Sequence, residues 1–198
     1  EIAARYPNNV GYTNMGCDLT YSRAAALTKD FAAYLQSLGL QPGDRVAIMM
    51  PNLLQYVIAM YACLRAGYIV VNINPLYTSR EVNGTLRDSE AKAIIIIENF
   101  AKTLQNALPG TKCEHIITTA VGDLFPFFKR TLVNFVVRKV KKMVPEYSLP
   151  NAVGFNEALE IGRRHGFTAH EIHNTDIAFL QYTGGTTGVA KGAILTHR

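Results

Sequence analysis

Short, continuously apolar segments alternate with segments of helical periodicity over the first 120 residues of this chain. Because such apolar segments carry no polar face, they are typical of strands that are buried on both sides of a sheet. Their alternation with helices at short spacing favours an α/β fold, in which a mostly parallel sheet is covered by helices on both faces. The predicted strands are residues 45–50, 68–73, 93–97 and 115–119.

Capping residues mark the helices that lie between these strands. A threonine or asparagine before a helix can accept a hydrogen bond from the first turn, and a glycine after it can take the left-handed conformation that ends it. The predicted helices are 21–38 with Thr20 and Gly39, 53–66 with Asn52 and Gly67, and one that runs from the capping box of Thr78 and Glu81 to about residue 88.

The second part of the chain is organised differently. Between residues 121 and 174 the apolar pattern loosens, and we expect this stretch to leave the sheet. Strands are predicted again at 176–182 and 192–196, on either side of a glycine-rich loop. The expected organisation is therefore a first α/β subdomain over 1–120, a basic amphipathic excursion over 121–174, and a strand, phosphate loop and second strand over 175–198.

Composition excludes several classes of protein. Of 198 residues, 48% are apolar, which excludes a disordered or collagen-like chain. Cys17, Cys63 and Cys113 have neither a disulfide pattern nor a zinc spacing, so a reducing, cytoplasmic compartment is favoured. The chain begins without Met and stops just after the glycine-rich loop, and we therefore expect it to be part of a longer protein.

The loop runs Tyr182-Thr183-Gly184-Gly185-Thr186-Thr187-Gly188-Val189-Ala190-Lys191-Gly192 and contains no acidic residue. Glycines let the backbone approach a ligand closely, and consecutive amides form a concave anion site. Threonine hydroxyls and one lysine complete the donors that a polyphosphate requires. The loop is not a Walker A motif, because Ala190 precedes the lysine and Gly192 follows it. The alternative is a glycine-rich hairpin that binds nothing.

At these residues the chain resembles the adenylate-forming acyl-CoA synthetases, whose signature is roughly Y-T-S-G-T-T-G-x-P-K-G. Gly184 stands where serine is usual, and Ala190 where proline is usual. The sequence of the loop and of the residues after it is similar to that of the bacterial long-chain fatty acid–CoA ligases in particular. The resemblance extends upstream through residues 39–52, 64–67, 71–81 and 179–181, and is loosest at 98–130.

The resemblance implies a two-step reaction on the N-terminal part of the family's large domain. A fatty acid carboxylate attacks the α-phosphate of ATP, and the thiol of coenzyme A then displaces AMP, with Mg²⁺ bridging the phosphates. Lys191 would be catalytic by stabilising the departing pyrophosphate. The nucleotide-binding residues would be Tyr182, Thr183, Gly184, Gly185, Thr186, Thr187, Gly188, Lys191 and Gly192. No residue is assigned to a metal, and the isolated chain is expected to be inactive because the family's ribose aspartate and C-terminal lysine are missing.

Two other functions stay open. One keeps the adenylation but changes the acid or the acceptor. The other is a non-catalytic domain that binds phosphate or associates with a membrane.

The hypothesis of membrane association is based on a basic segment from Phe125 to Val144. It contains six lysines and arginines and no acid, and most of its apolar side chains fall on one arc of a helix. Such a helix can lie on an anionic membrane, here the inner face, or simply pack on the sheet with a solvated basic face. Nucleic-acid binding is not expected, because no recognised motif accompanies the charge. The sequence gives no indication of the oligomeric state.

Overall fold

The computed structural model describes residues 2–183 and 191–198. In this part of the chain, a seven-stranded sheet has the order β7-β6-β5-β3-β4-β8-β9, and β1 and β2 form a separate antiparallel hairpin. Neighbouring strands of the large sheet are parallel except for β9, which pairs antiparallel with β8. The strands are β1 Val10–Asn14, β2 Cys17–Thr20, β3 Arg45–Met49, β4 Ile69–Asn72, β5 Ala93–Ile97, β6 His115–Thr119, β7 Ala152–Gly154, β8 Ile177–Thr183 and β9 Lys191–Thr196.

Helices cover both faces of the large sheet. They are α1 Ile2–Arg5, α2 Tyr21–Ser37, α3 Leu54–Arg65, α4 Ser79–Ser89, α5 Ala101–Ala107, α6 Phe127–Phe135 and α7 Phe155–His165, with a 3₁₀ turn at Glu98–Phe100 and a π-helical turn at Val136–Val140. Across the described residues, none of these helices has the length and apolar character needed to span a membrane.

The interior strand β5 shows why the sheet needs two layers of helices. Ile95 and Ile97 pack into one core with α2, α3 and α7, whereas Ile94 and Ile96 pack into a second core with α4 and α5. Successive side chains of a strand point to opposite faces, so a run of isoleucines requires cover on both. The predicted α/β fold with a mostly parallel sheet is thereby confirmed.

Most of the predicted helix boundaries are confirmed by their hydrogen bonds. Thr20 caps α2 by accepting from the amide of Arg23, and Thr78 and Glu81 form a reciprocal capping box at α4. The predicted cap at Asn52 is wrong, since Leu53 occupies the N-cap position of α3 and makes no side-chain cap bond. The Leu53 side chain is buried in the core, which moves the start of the helix one residue beyond the asparagine.

The prediction that residues 121–174 leave the sheet is wrong at residues 152–154, which form β7. β7 pairs in parallel with β6, and α7 follows it and packs along α2. A three-residue strand is too short to show a periodicity of its own, so only its pairing identifies it. The division of the chain into three parts stays a prediction.

Candidate functional site

A polar cleft of about 460 Å³ lies where β3, β4 and β8 end. Parallel strands place their carboxyl ends at one edge of a sheet, which is the edge where open α/β sheets bind ligands. The residues around the cleft come from these strand ends and from the segments that follow them. They are Ile48, Met50, Asn52, Tyr56, Asn72, Ile73, Asn74, Tyr77, Gln181 and Tyr182.

A hydrogen-bonded row crosses the floor of this cleft. The Tyr56 hydroxyl donates to Asn72 Oδ1 over 3.2 Å, and Asn72 Nδ2 donates to Gln181 Oε1 over 3.0 Å. Asn72 and Gln181 are also register partners in the β4–β8 ladder. The row therefore holds the carboxyl-terminal end of β8 against β4 and leaves amide and hydroxyl groups facing the cleft.

Tyr182 points to the opposite face from Gln181, because the two are consecutive in β8. Its ring packs in the second core, and its hydroxyl donates to Asp88 Oδ2 over 2.5 Å. Burial, together with this carboxylate, raises the pKa of Tyr182 well above its ordinary value of 10.0. The side chain is thus a protonated donor at neutral pH, and its hydroxyl is already bound within the fold.

Gly192 faces Tyr182 across the β8–β9 ladder. A Cβ at Gly192 would lie 3.1–3.2 Å from atoms of the Tyr182 ring, closer than nearly all real contacts of this kind. A side chain at position 192 would therefore need the Tyr182 ring to move by a few tenths of an ångström. This requirement is a matter of packing and is independent of any bound phosphate.

The prediction that strands flank the glycine-rich loop is confirmed. β8 ends at Thr183 and β9 begins at Lys191, and these two residues are partners in the antiparallel register. The predicted nucleotide-binding residues Gly184, Gly185, Thr186, Thr187 and Gly188 lie outside the described residues, as do the side chains of Thr183 and Lys191. Their roles, including the catalytic role of Lys191, stay predictions.

Sequence reasoning missed four polar residues around this site: Tyr56, Asn72, Asp88 and Gln181. Asn72 and Gln181 carried a signal, because each is a polar residue at the end of a buried apolar strand. Asp88 carried none, since a single acid on a helix is ordinary.

The basic segment from Phe125 to Val144 forms a second surface. It is not the single continuous helix that both the membrane hypothesis and the packing alternative assumed. α6 is followed by the π-helical turn, and the apolar side chains point largely into solvent, with Phe128 85% exposed. The other large apolar side chains exposed here are Phe127, Leu132, Phe135, Val140 and Met143. Lys139, Lys141 and Lys142 are exposed beside them.

The comparisons with known proteins match the whole chain. A family model described as AMP-binding enzyme matches residues 1–198. The chain is 55% identical to a long-chain-fatty-acid–CoA ligase of Yersinia pestis and 56% identical to one of Haemophilus influenzae. Both matches cover 100% of this chain and 35% of the relative, so the chain spans about a third of the length of these curated relatives.

Solved structures with the same fold act on different acids. An anthranilate CoA ligase in complex with anthranoyl-AMP superposes with a TM-score of 0.76 at 21% identity, over 99% of this chain and 33% of that one. A long-chain-fatty-acid-CoA ligase from Archaeoglobus fulgidus gives 0.73 at 24% identity, over 98% and 35%. These structural similarities show the fold, and the match of the family model over residues 1–198 shows the family. The chain belongs to the family of AMP-binding enzymes.

Proposed function

We propose that the protein activates a long-chain fatty acid with ATP and transfers the acyl group to coenzyme A. The single observation that carries the proposal is the 53–56% identity to curated long-chain-fatty-acid–CoA ligases over the whole chain, including the loop. The polar cleft beside Tyr182 supports it, because the cleft and the two strands that flank the loop meet at the ligand-binding edge of the sheet.

In the first step, a carboxylate oxygen of the fatty acid attacks the α-phosphorus of ATP. The bond from that phosphorus to the bridging oxygen breaks, and pyrophosphate leaves with the electron pair. Because two anions must meet, the reaction depends on positioning and on neutralisation of charge. Backbone amides of the loop, with Thr183, Thr186 and Thr187, would bind the β- and γ-phosphates, and Lys191 would stabilise the pyrophosphate as its charge develops.

In the second step, the thiol of coenzyme A attacks the acyl carbon of the adenylate. The bond between the acyl carbon and the phosphate oxygen of this mixed anhydride breaks, AMP leaves with its electron pair, and the thiol proton passes to solvent. Mg²⁺ enters this proposal only as an ion carried by ATP. Within residues 2–183 and 191–198, no group of three His, Cys, Asp or Glu side chains could hold a metal ion, so no step is assigned to a metal bound by the described residues.

Isotope exchange between pyrophosphate and ATP tests the first step in the full-length protein. Exchange should depend on a long-chain acid such as palmitate, and added coenzyme A should convert the product to a thioester. Exchange that requires benzoate or acetate and ignores palmitate would favour adenylation of another acid. Exchange without thioester formation would favour another acceptor, and an absence of exchange with any acid would leave a non-catalytic phosphate-binding domain.

A second proposal concerns location: the protein is cytoplasmic and binds the inner face of an anionic membrane through the segment from Phe127 to Met143. The observation that favours it is the row of six exposed large apolar side chains with lysines beside them. Aromatic and aliphatic side chains can enter the headgroup region while lysines meet anionic lipids, each contributing about 1 kcal/mol. A long-chain fatty acid partitions into such a membrane, so this surface would bring the proposed site to its substrate.

A further inference from the structure

We propose that Asp88 is a positioning residue for the ATP-dependent step and acts through Tyr182 on the strands that flank the loop. This inference rests on the proposed adenylation for its kinetic consequence. Its structural basis is a chain of contacts from α4, through the second core, to the first residues of β9.

The first contact joins α4 to β8. The Tyr182 hydroxyl donates to Asp88 Oδ2 over 2.5 Å, between residues 94 positions apart in the chain. The tyrosine is buried, and Val82 and Leu86 of α4 belong to the same core as its ring. A hydrogen bond to a charged acceptor is stronger than one between neutral groups, and part of this advantage is lost here to solvent screening because Asp88 is exposed. The rotation of the tyrosine side chain is thus fixed at both its ring and its hydroxyl.

Helix formation does not explain an acid at this position. Asp88 is the penultimate residue of α4, and carboxylates near a helix C-terminus interact unfavourably with the helix dipole. Thr78 and Glu81 already satisfy the N-terminus of the same helix. Within the described residues, the side-chain contact that the structure gives Asp88 is the hydrogen bond from Tyr182.

The second contact joins Tyr182 to β9, because the tyrosine ring packs against Gly192. The ring lies against Gly192 so closely that a Cβ there would be only 3.1 Å from it. Gly192 directly follows Lys191, the residue that we propose meets pyrophosphate. A tyrosine that moved away from α4 would change the contact on which this end of β9 rests.

The opposite face of β8 is held in the same way. Gln181 accepts from Asn72 over 3.0 Å, and Asn72 accepts from Tyr56. The end of β8 is thus held from both faces by side chains that come from other elements. Since misplacement by about 1 Å can cost a factor of ~10² in rate, such bracing matters for a loop that must align a polyphosphate.

Rates of the two half-reactions, adenylation and thiolysis, distinguish a positioning role of Asp88 from a general effect on stability. In the full-length protein, Tyr182→Phe and Asp88→Ala should each lower palmitate-dependent pyrophosphate exchange by about 10-fold, the loss of one charge-assisted hydrogen bond. Thiolysis of preformed palmitoyl-adenylate uses no polyphosphate and should change less than 2-fold (~0.4 kcal/mol). Asp88→Asn keeps an acceptor oxygen and should recover most of the exchange rate. The double variant should lose no more than either single one, because both remove the same bond.

Tyr68→Phe is the matched control. It also removes a buried tyrosine hydroxyl, which donates to the Leu40 carbonyl over 3.3 Å, but it lies in the first core. It should lower the thermal midpoint and leave the ratio of the two half-reactions unchanged. Equal losses in both half-reactions for Tyr182→Phe would overturn the proposal, since that is what simple destabilisation gives.

Amide hydrogen exchange gives a readout that is independent of activity. The amides of residues 191–194 should exchange several-fold faster in Tyr182→Phe and Asp88→Ala than in the parent or Tyr68→Phe. Unchanged exchange there would overturn the proposal even if the kinetics changed. If the parent shows no pyrophosphate exchange while these amides respond as expected, the proposed adenylation fails and the link from Asp88 to β9 stands.

Discussion

Arg138 forms a two-pronged ion pair with Glu98. Its Nε lies 2.8 and 2.9 Å from the two carboxylate oxygens, and its Nη2 lies 2.7 Å from Oε2. Glu98 is only 4% exposed and directly follows β5, and its carboxylate raises the pKa of Arg138. The pair fixes the π-helical turn, and with it the exposed apolar surface, to the carboxyl end of β5.

Arg138→Met should therefore destabilise the fold by about 1.5–3 kcal/mol, because it removes charge-assisted bonds from a buried carboxylate. Arg163→Met is the control, since Arg163 pairs with Asp30 through a single contact of 3.2 Å and is largely exposed. That variant should cost less than ~1 kcal/mol. Urea unfolding measures both, and equal effects would show that burial of Glu98 does not strengthen the first pair.

Two helical glycines should respond in opposite directions to replacement by alanine. At Gly162 in α7, a Cβ would lie 1.8 Å from the Asp30 carbonyl oxygen of α2, so Gly162→Ala forces the helices apart. We expect a loss of at least ~2–3 kcal/mol. At Gly84 in α4 a Cβ would meet nothing within 4 Å, so Gly84→Ala should stabilise by about 0.5–1 kcal/mol. A thermal melt of each variant checks the signs.

Lys191→Ala tests the loop in the full-length protein. If the lysine meets charge that develops on pyrophosphate, the change should lower kcat for adenylation by about 10²–10³, and raise KM for ATP by less. Thr186→Ala removes a neutral donor and should cost only about 0.5–1.5 kcal/mol. Thiolysis of preformed acyl-adenylate should be nearly unchanged in both. Equal exchange rates for Lys191→Ala and the parent would remove this lysine from the mechanism.

Stability at alkaline pH should depend on Tyr12. Burial, followed by the neighbouring Tyr61 hydroxyl, raises the pKa of Tyr12 from 10.0 to about 12. Between these values the folded state holds a proton that the unfolded state has lost. The stabilisation is therefore complete below pH 10 and is lost as the pH rises toward 12. From about pH 9 to about pH 11, urea unfolding should show a smaller loss of stability for Tyr12→Phe than for the parent; identical losses would contradict this assignment.

Vesicle sedimentation tests the proposed membrane surface. The protein should bind vesicles that contain phosphatidylglycerol and be released by salt. Phe128→Glu should reduce binding by about 10-fold or more, the value of one buried aromatic side chain. Leu76→Glu replaces a similarly exposed apolar residue, 82% against 85%, outside this segment and should not change it. A parent that stays in solution with vesicles at low salt would contradict the proposal.

The local sequence pattern was enough to predict the layered α/β fold. A fully apolar run such as Ala93–Ile97 has no polar face to turn to solvent, so it requires a helix on each side. The caps at Thr20 and Thr78 depend on groups within three residues, which is why they could be predicted. The two strands around the glycine-rich loop were predicted for the same reason, since each shows its own apolar run.

Only the tertiary structure decided the contacts between residues that are far apart in the sequence and that the local sequence pattern does not distinguish. Asp88 and Tyr182 are 94 positions apart, and Asn72 and Gln181 are 109 positions apart. The three residues of β7 enter the sheet only because β6 offers them a ladder of hydrogen bonds. The apolar arc of the basic segment left open whether it packs on the sheet or lies on a membrane, and in the structure the pair of Glu98 and Arg138 holds the turn after α6 while Phe128 is exposed to solvent. Periodicity reports which side chains share a face, whereas the partner of that face depends on how distant elements pack.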